Sequence, residues 1–257
     1  MIGNVERVLS LLASCGVKGT FFVQGMVAER FPQLLGTILA EGHEIQSHGY
    51  SHRPLTRMTP QEVREELRRG KATVEDAAGR PVSTFRAQDF SIVQENLWVL
   101  EFVVAEGFTV DSSLFPLRTR RYGITGLELG PHYRTLDGDT TLLEVPVAAL
   151  GLGRLRIPVG GGGYFRLLPA EVLRRALGTI LRRGRPAVLY CHPYEFNDTE
   201  LADYRGVVPA SYRLQQQLGR GAFPGRLRRL MTTLPFGRLD EVLAASGFAA
   251  PAERGAA

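Results

Sequence analysis

The chain has 257 residues, 44% hydrophobic and 22% charged, which are ordinary proportions for a folded globular protein with a sizeable core. Its 31 Lys and Arg against 26 Asp and Glu leave a net charge of +5. The arginines are spread over helix-like stretches without interleaved aromatics, so solvated helix faces are expected and nucleic-acid binding is not. Two cysteines imply no disulfide framework; Cys15 and Cys191 lie in apolar segments and read as small core residues. No run is long and apolar enough to cross a bilayer, and Met1 to Asn4 lacks a secretion pattern, so a cytoplasmic location is the expectation.

In chain order, Asn4 reads as an N-cap for a helix over Val5–Ser14, ended by Gly16. A β-rich run, Gly19-Thr20-Phe21-Phe22-Val23, follows. Met26 to Ala40 is a second helix, broken at Phe31-Pro32. His43 to Ser47 has the length of one strand. It leads into His48-Gly49-Tyr50-Ser51-His52, two imidazoles four residues apart around a glycine turn. Thr59 and Glu62 form a capping box for a helix over Pro60–Ala77. Val82–Arg86 and Phe108–Asp111 are short strands flanking a helix over Gln94–Glu106. Pro116 to Pro158 reads as long loops with one strand at Leu142–Val145. The glycine run Gly160–Gly163, before Tyr164-Phe165-Arg166, reads as a turn and lacks the lysine of a phosphate loop. Pro169–Arg183 is a helix, and Ala187–Cys191 a buried strand that delivers His192. Glu200–Arg220 is loop plus helix. Helices over Phe223–Thr232 and Leu239–Ala245 close the chain, with a frayed tail from about residue 251. No repeat or linker divides the chain, so one domain over 1–257 is expected.

Strand and helix alternate, which argues for parallel strands with crossover helices. Active sites in such folds lie at the C-terminal ends of the strands. His48, Arg86, Asp111 and His192 each follow a strand end, so the four are expected to converge on one face. Taken singly, each has a structural explanation: a hydrogen-bonded loop histidine, a surface ion pair, a turn-capping aspartate. Two imidazoles suit zinc or a similar ion, and an open zinc site needs a third protein ligand. Such an ion lowers the pKa of water. Imidazole as a residue type titrates near neutrality, so His192 suits a general acid, Asp111 could orient it, and Arg86 could hold a second carboxylate.

Thr20-Phe21-Phe22, Ser47-His48-Gly49-Tyr50-Ser51-His52, Phe85-Arg86-Ala87, Asp111-Ser112-Ser113 and Leu189-Tyr190-Cys191-His192-Pro193 come in the order found in NodB-homology polysaccharide deacetylases, the family 4 carbohydrate esterases, which this chain resembles over nearly its whole length. Arg121-Tyr122-Gly123, Gly161 to Arg166 and His192-Pro193-Tyr194-Glu195 resemble the branch found with bacterial exosortase and exopolysaccharide loci. The resemblance implies an α/β fold, a distorted (β/α) barrel of about seven strands. It implies a zinc-type ion held by His48, His52 and an aspartate, and water attack on the N-acetyl group of a polysaccharide sugar. By position, His192 would be the acid, Asp111 would tune it, and Arg86 would hold the catalytic-base aspartate. Asp89, Tyr164 and Gly163 would contact substrate.

Two departures qualify the match. The family's opening strand carries the aspartates that supply the base and third ligand, and residues 1–19 contain none. The first strand, base and ligand are therefore expected to be missing, and two histidines alone make a weak site. The family's proline after Arg-Ala is replaced by Gln88, with Asp89 next; Asp89 could reach the metal in place of the missing aspartate. The alternatives are a non-catalytic sugar-binding relative and an amidohydrolase acting on a small ureide-like molecule.

Overall fold

The computed structural model describes residues 1–119, 122–137, 140–202 and 206–248. They form two compact units whose segments interleave along the chain. One contains Met1–Lys18 and Ala148–Gly237; the other contains Gly19–Val147 and the chain from Arg238.

The sheet lies in the Gly19–Val147 unit. Its strands are β1 (Thr20–Val23), β2 (Glu44–Ser47), β3 (Thr84–Phe85), β4 (Val110–Asp111), β5 (His132–Thr135) and β6 (Thr141–Glu144). Their order is β1-β2-β3-β4-β6-β5. The pairs β1–β2, β2–β3, β3–β4 and β4–β6 are parallel, and β5 is antiparallel on β6. The alternating strand–helix pattern thus yields a mostly parallel α/β sheet, as expected from the sequence.

Helices α2 (Gly25–Arg30), α3 (Pro32–Ala40), α4 (Pro60–Ala78), α5 (Val99–Ala105) and α10 (Leu239–Ala245) belong to this unit. The break between α2 and α3 falls at Phe31, with Pro32 opening α3, where proline needs no N–H partner. The α4 capping box is present: Thr59 Oγ1 accepts the Glu62 N–H at 3.3 Å, and the Glu62 carboxylate accepts the Thr59 N–H at 2.7 Å. Gly79, at φ 64°, ends α4. Val63, Leu67, Gly70 and Val74 form the buried stripe of α4 at helical spacing.

The other unit holds α1 (Ile2–Ser14), the hairpin β7 (Ala149–Leu152) with β8 (Leu155–Pro158), α6 (Gly162–Leu167), α7 (Ala170–Arg182), α8 (Ala210–Gln217) and α9 (Phe223–Met231). Leu173, Ala176, Leu177 and Ile180 of α7 and Phe223, Leu227, Leu230 and Met231 of α9 are buried. Phe223 meets Phe165 and Phe196 at 5.4 and 5.3 Å between ring centroids.

Several local expectations are corrected. Helix α1 begins at Ile2, and Asn4 lies buried inside it, its amide donating to Glu200 Oε2 at 2.9 Å rather than capping. The Pro116–Pro158 stretch contains four strands, because β5 and β7 alternate too weakly to stand out by pattern. The Gln94–Glu106 helix is split, with a 3₁₀ turn at Gln94–Asn96 before α5. The glycine run opens helix α6 instead of turning freely. Gly161 lies against Tyr190, so that a Cβ there would sit 2.4 Å from its ring. Ala187–Tyr190 is half-buried and pairs at single positions: Val188 accepts from Ala148 N–H at 3.0 Å, and Tyr190 N–H donates to Gly160 at 2.7 Å. Cys15 follows the end of α1 half-exposed and Cys191 is exposed, so neither is a core residue.

Candidate functional site

The parallel register sets one row across the sheet: Val23 beside Ser47, Ser47 beside Phe85, Phe85 beside Asp111, and Asp111 beside Glu144. The residues expected to matter follow or occupy this row, so His48, Arg86 and Asp111 do share one end of the sheet. They do not share one side of it. Side chains alternate along a strand. His48, Arg86 and Ser112, each one step beyond the row, lie on one side. Asp111 and Glu144 lie on the other. The expected convergence of all the strand-end residues on one face is corrected by this period of two.

On the first side, His48 Nδ1 lies 2.6 Å from the Arg86 carbonyl. A carbonyl only accepts, so Nδ1 carries the proton and Nε2 is the nitrogen with a lone pair. The His52 ring stands 5.4 Å from that of His48, at 73°. Arg86 is buried. Its Nε donates to the Ser112 carbonyl at 3.1 Å and its Nη2 to Ser112 Oγ at 2.7 Å, and its guanidinium lies 4.1 Å from the centre of the Phe22 ring.

The turn between the two histidines is held from α4. Glu66, buried in mid-helix, accepts the N–H of Tyr50 at 2.8 Å, the N–H of Ser51 at 2.7 Å and the Ser51 hydroxyl at 2.9 Å. Gln88 donates from one amide nitrogen to Glu66 Oε1 at 2.9 Å and to the His48 carbonyl at 2.7 Å. Gln88 thus ties the β3 turn to the histidine turn through its side chain, which a proline at that position could not do. Neither Glu66 nor Gln88 was singled out from sequence. Glu66 reads as one more polar residue on an amphipathic helix, and only packing shows that it faces inward. His52 has φ 57° and Asp89 has φ 53°, both in the left-handed region. Asp89 is exposed.

On the second side, Asp111 and Glu144 are fully buried and sit side by side in the strand register. Ser113 donates to Asp111 twice, from its N–H at 3.0 Å and its hydroxyl at 2.6 Å, and Leu114 N–H donates to Glu144 at 3.2 Å. Burial, then the charge of Asp111, pushes the Glu144 carboxyl well above its usual range. Burial also raises Asp111, against the hydrogen bonds from Glu144 and Ser113 and the charge of Arg86. Two facing carboxyls in a dry site hold one proton between them. The proton belongs to the pair as a unit. Glu144 was missed because a lone glutamate at the end of Thr141–Glu144 has no motif.

In the other unit, His192 precedes a 3₁₀ turn over Pro193–Phe196, and its side chain is 43% exposed. Tyr164 is exposed on α6, and Gly163 faces open space. Beside the histidine turn of the Gly19–Val147 unit, Tyr50, Ser51, Arg53, Glu62, Glu66 and Arg69 border a surface cleft of about 390 Å³.

His48 and His52 fit two positions of a divalent metal site. Among the described residues no group of three His, Cys, Asp or Glu side chains is placed to hold an ion. The two imidazoles therefore fall one short of the three protein donors that an open zinc site needs.

A mostly parallel α/β fold is what the deacetylase resemblance implied. Residues 3–98 match the family model described as Polysaccharide deacetylase. The chain belongs to the family described as Domain of unknown function (DUF3473), whose model matches residues 112–244, just over half of it. It is 33% identical over 113 residues to the Peptidoglycan deacetylase-like protein FGM2 of Gibberella zeae, covering 43% of this chain and 32% of that one. It is 32% identical over 96 residues to the Peptidoglycan-N-acetylglucosamine deacetylase of Bacillus cereus, covering 37% of this chain and 35% of that one. The chain thus spans about a third of these curated relatives. Its fold is similar to that of a probable polysaccharide deacetylase from Pseudomonas aeruginosa PAO1, with TM-score 0.63 and 17% identity over 95% of this chain and 72% of that one.

Proposed function

We propose that this chain serves the hydrolytic removal of acetyl groups from N-acetylated sugars of a polysaccharide. The reading is carried by the imidazole pair at the end of β2, in which His48 Nδ1 donates to the Arg86 carbonyl and the His52 ring stands 5.4 Å from the His48 ring. The deacetylase names of the relatives support it. A bacterial exopolysaccharide is the narrower substrate class that we propose.

His48 and His52 would hold a divalent ion, zinc first, with a further donor from outside the described residues. When bound, the ion supplies Lewis acidity and a lowered water pKa. The chain's own groups do the rest. Arg86 presents a fixed cation at the end of β3. His192 gives the leaving nitrogen its proton: water adds its oxygen to the acetyl carbon, the C–N bond breaks, acetate and a free amine result, and of the two protons that water gives up one recharges His192 and the other leaves to solvent. Tyr164, Gly163 and Asp89 are assigned to the sugar.

The test is acetate release from chitooligosaccharides and from bacterial exopolysaccharide with added zinc or cobalt. Release that is lost in His48→Ala and reduced about 10²-fold in His192→Ala supports the proposal. Glycan binding with no acetate release in any condition would replace it with a sugar-binding role. Release from a ureide but no sugar would replace the substrate class.

A further inference from the structure

His192 is held by the chain around it. Tyr194 stacks on its ring, with 5.2 Å between centroids and 16° between planes, and Tyr190 meets it edge-on at 5.7 Å. Nδ1 lies 3.4 Å from Oε2 of Glu195, an oxygen that also accepts the His192 backbone N–H at 2.9 Å. The Glu195 N–H in turn donates to the His192 carbonyl at 2.9 Å.

Glu195 is 1% exposed. Its other oxygen, Oε1, forms an ion pair with Arg166 Nη1 at 3.3 Å. Arg166 is itself buried on α6, and its Nη2 donates to Gln216 Oε1 at 3.3 Å. One buried carboxylate therefore has a cation behind it and an imidazole in front. The two jobs fall to different oxygens, so neither competes with the other. An ionised carboxylate only accepts hydrogen bonds, so the nitrogen facing it is the one that carries hydrogen.

We propose that Glu195, backed by Arg166, is the positioning residue that holds His192 in the Nδ1–H tautomer and makes Nε2 the nitrogen that takes up and gives the proton. The assignment rests on the reading of His192 as the acid for the leaving amine. In that step the Nε2–H bond breaks as the amine N–H bond forms. The ring is left neutral with its Nδ1–H still on Glu195. The carboxylate orients the ring without taking the proton. The geometry also explains the order His192-Pro193-Tyr194-Glu195. The 3₁₀ turn brings the third residue after His192 back under its ring, while Tyr194 covers the ring face.

The test uses the full chain labelled with ¹⁵N-histidine, in which ring nitrogen–hydrogen couplings report which nitrogen carries the proton. His192→Gln identifies the His192 signals. The expected neutral wild-type ring carries its proton on Nδ1, and in Glu195→Leu the proton moves to Nε2. If the leucine variant does not fold, the wild-type spectrum decides alone: an Nε2–H ring overturns the proposal. So does an Nδ1–H ring that persists in a folded Glu195→Leu chain. In acetate release, Glu195→Leu lowers kcat about 10²-fold with KM little changed. The expected spectra with no acetate release from the wild type would sink the deacetylase reading and leave the Glu195 assignment standing.

Discussion

Asp111 and Glu144 place two carboxyls face to face in the buried row that closes the sheet, with Arg86 nearest in charge to one and Arg134 to the other. Burial leads the causes that raise both, and Glu144 is raised further, so the folded pair keeps a proton that the unfolded chain releases above the ordinary glutamate range. Stability from this pair is full below that range and is lost as pH rises towards the folded-state value. Glu144→Gln keeps a donor towards Asp111 at every pH. Its stability relative to wild type is expected to grow as pH is raised from about 5 to about 8, by more than about 1 kcal/mol in urea unfolding. Parallel curves over that range would mean that both carboxyls ionise. Glu66 is the contrasting case. It is a buried carboxylate whose oxygens meet two backbone N–H groups, a hydroxyl and an amide, so its burial is matched by donors.

Helix α4 shows how an element positions a site. Its cap and stripe set where it starts and which face it buries. Its approach to the histidine turn depends on one residue without a side chain. A Cβ at Gly70 would lie 2.5 Å from the backbone carbon of Gly49 and 2.9 Å from its Cα. Alanine is ordinarily better than glycine in a helix by about 0.5–1 kcal/mol. At Gly70 the clash is with backbone, which cannot swing aside, so Gly70→Ala is expected to destabilise the chain and weaken zinc or cobalt uptake. Gly36, in α3, has nothing within 4 Å of such a Cβ. Gly36→Ala is therefore expected to stabilise by about 0.5–1 kcal/mol. Thermal melts of the two variants check the contrast, and a stabilising Gly70→Ala would show that the helix can shift outward at little cost.

At the scale of the whole molecule, the chain starts in one unit with Met1–Lys18, builds the Gly19–Val147 unit, completes the first over Ala148–Gly237, and returns to the second at Arg238. The return is specific. Leu239 N–H donates to Thr20 Oγ1 at 2.8 Å, the Arg238 guanidinium reaches the Gly42 carbonyl at 3.5 Å, and Leu243 of α10 is buried. Thr20 in turn hydrogen-bonds Glu44, whose carboxyl burial pushes above its usual range. A chain stopped at Gly237 loses these contacts at the start of β1 and β2. Its Tm is expected to fall by more than about 4 °C below that of the full chain. Equal melting of both would show that α10 contributes nothing to the sheet.

The sequence by itself determined the alternating α/β pattern, the cap of α4, the break at Pro32 and the turn that brings His48 and His52 together. These are local: they depend on residue type within one turn or one strand. It also placed His48, Arg86 and Asp111 at strand ends. Only the tertiary structure decided which side of the sheet each side chain takes, because strands of two residues, such as β3 and β4, show no period of their own. It alone paired Glu144 with Asp111, Gln88 with Glu66 and Glu195 with Arg166, partners that are 33, 22 and 29 positions apart or hidden on helix faces. Such pairs follow from register and packing, and no single stretch of sequence carries either.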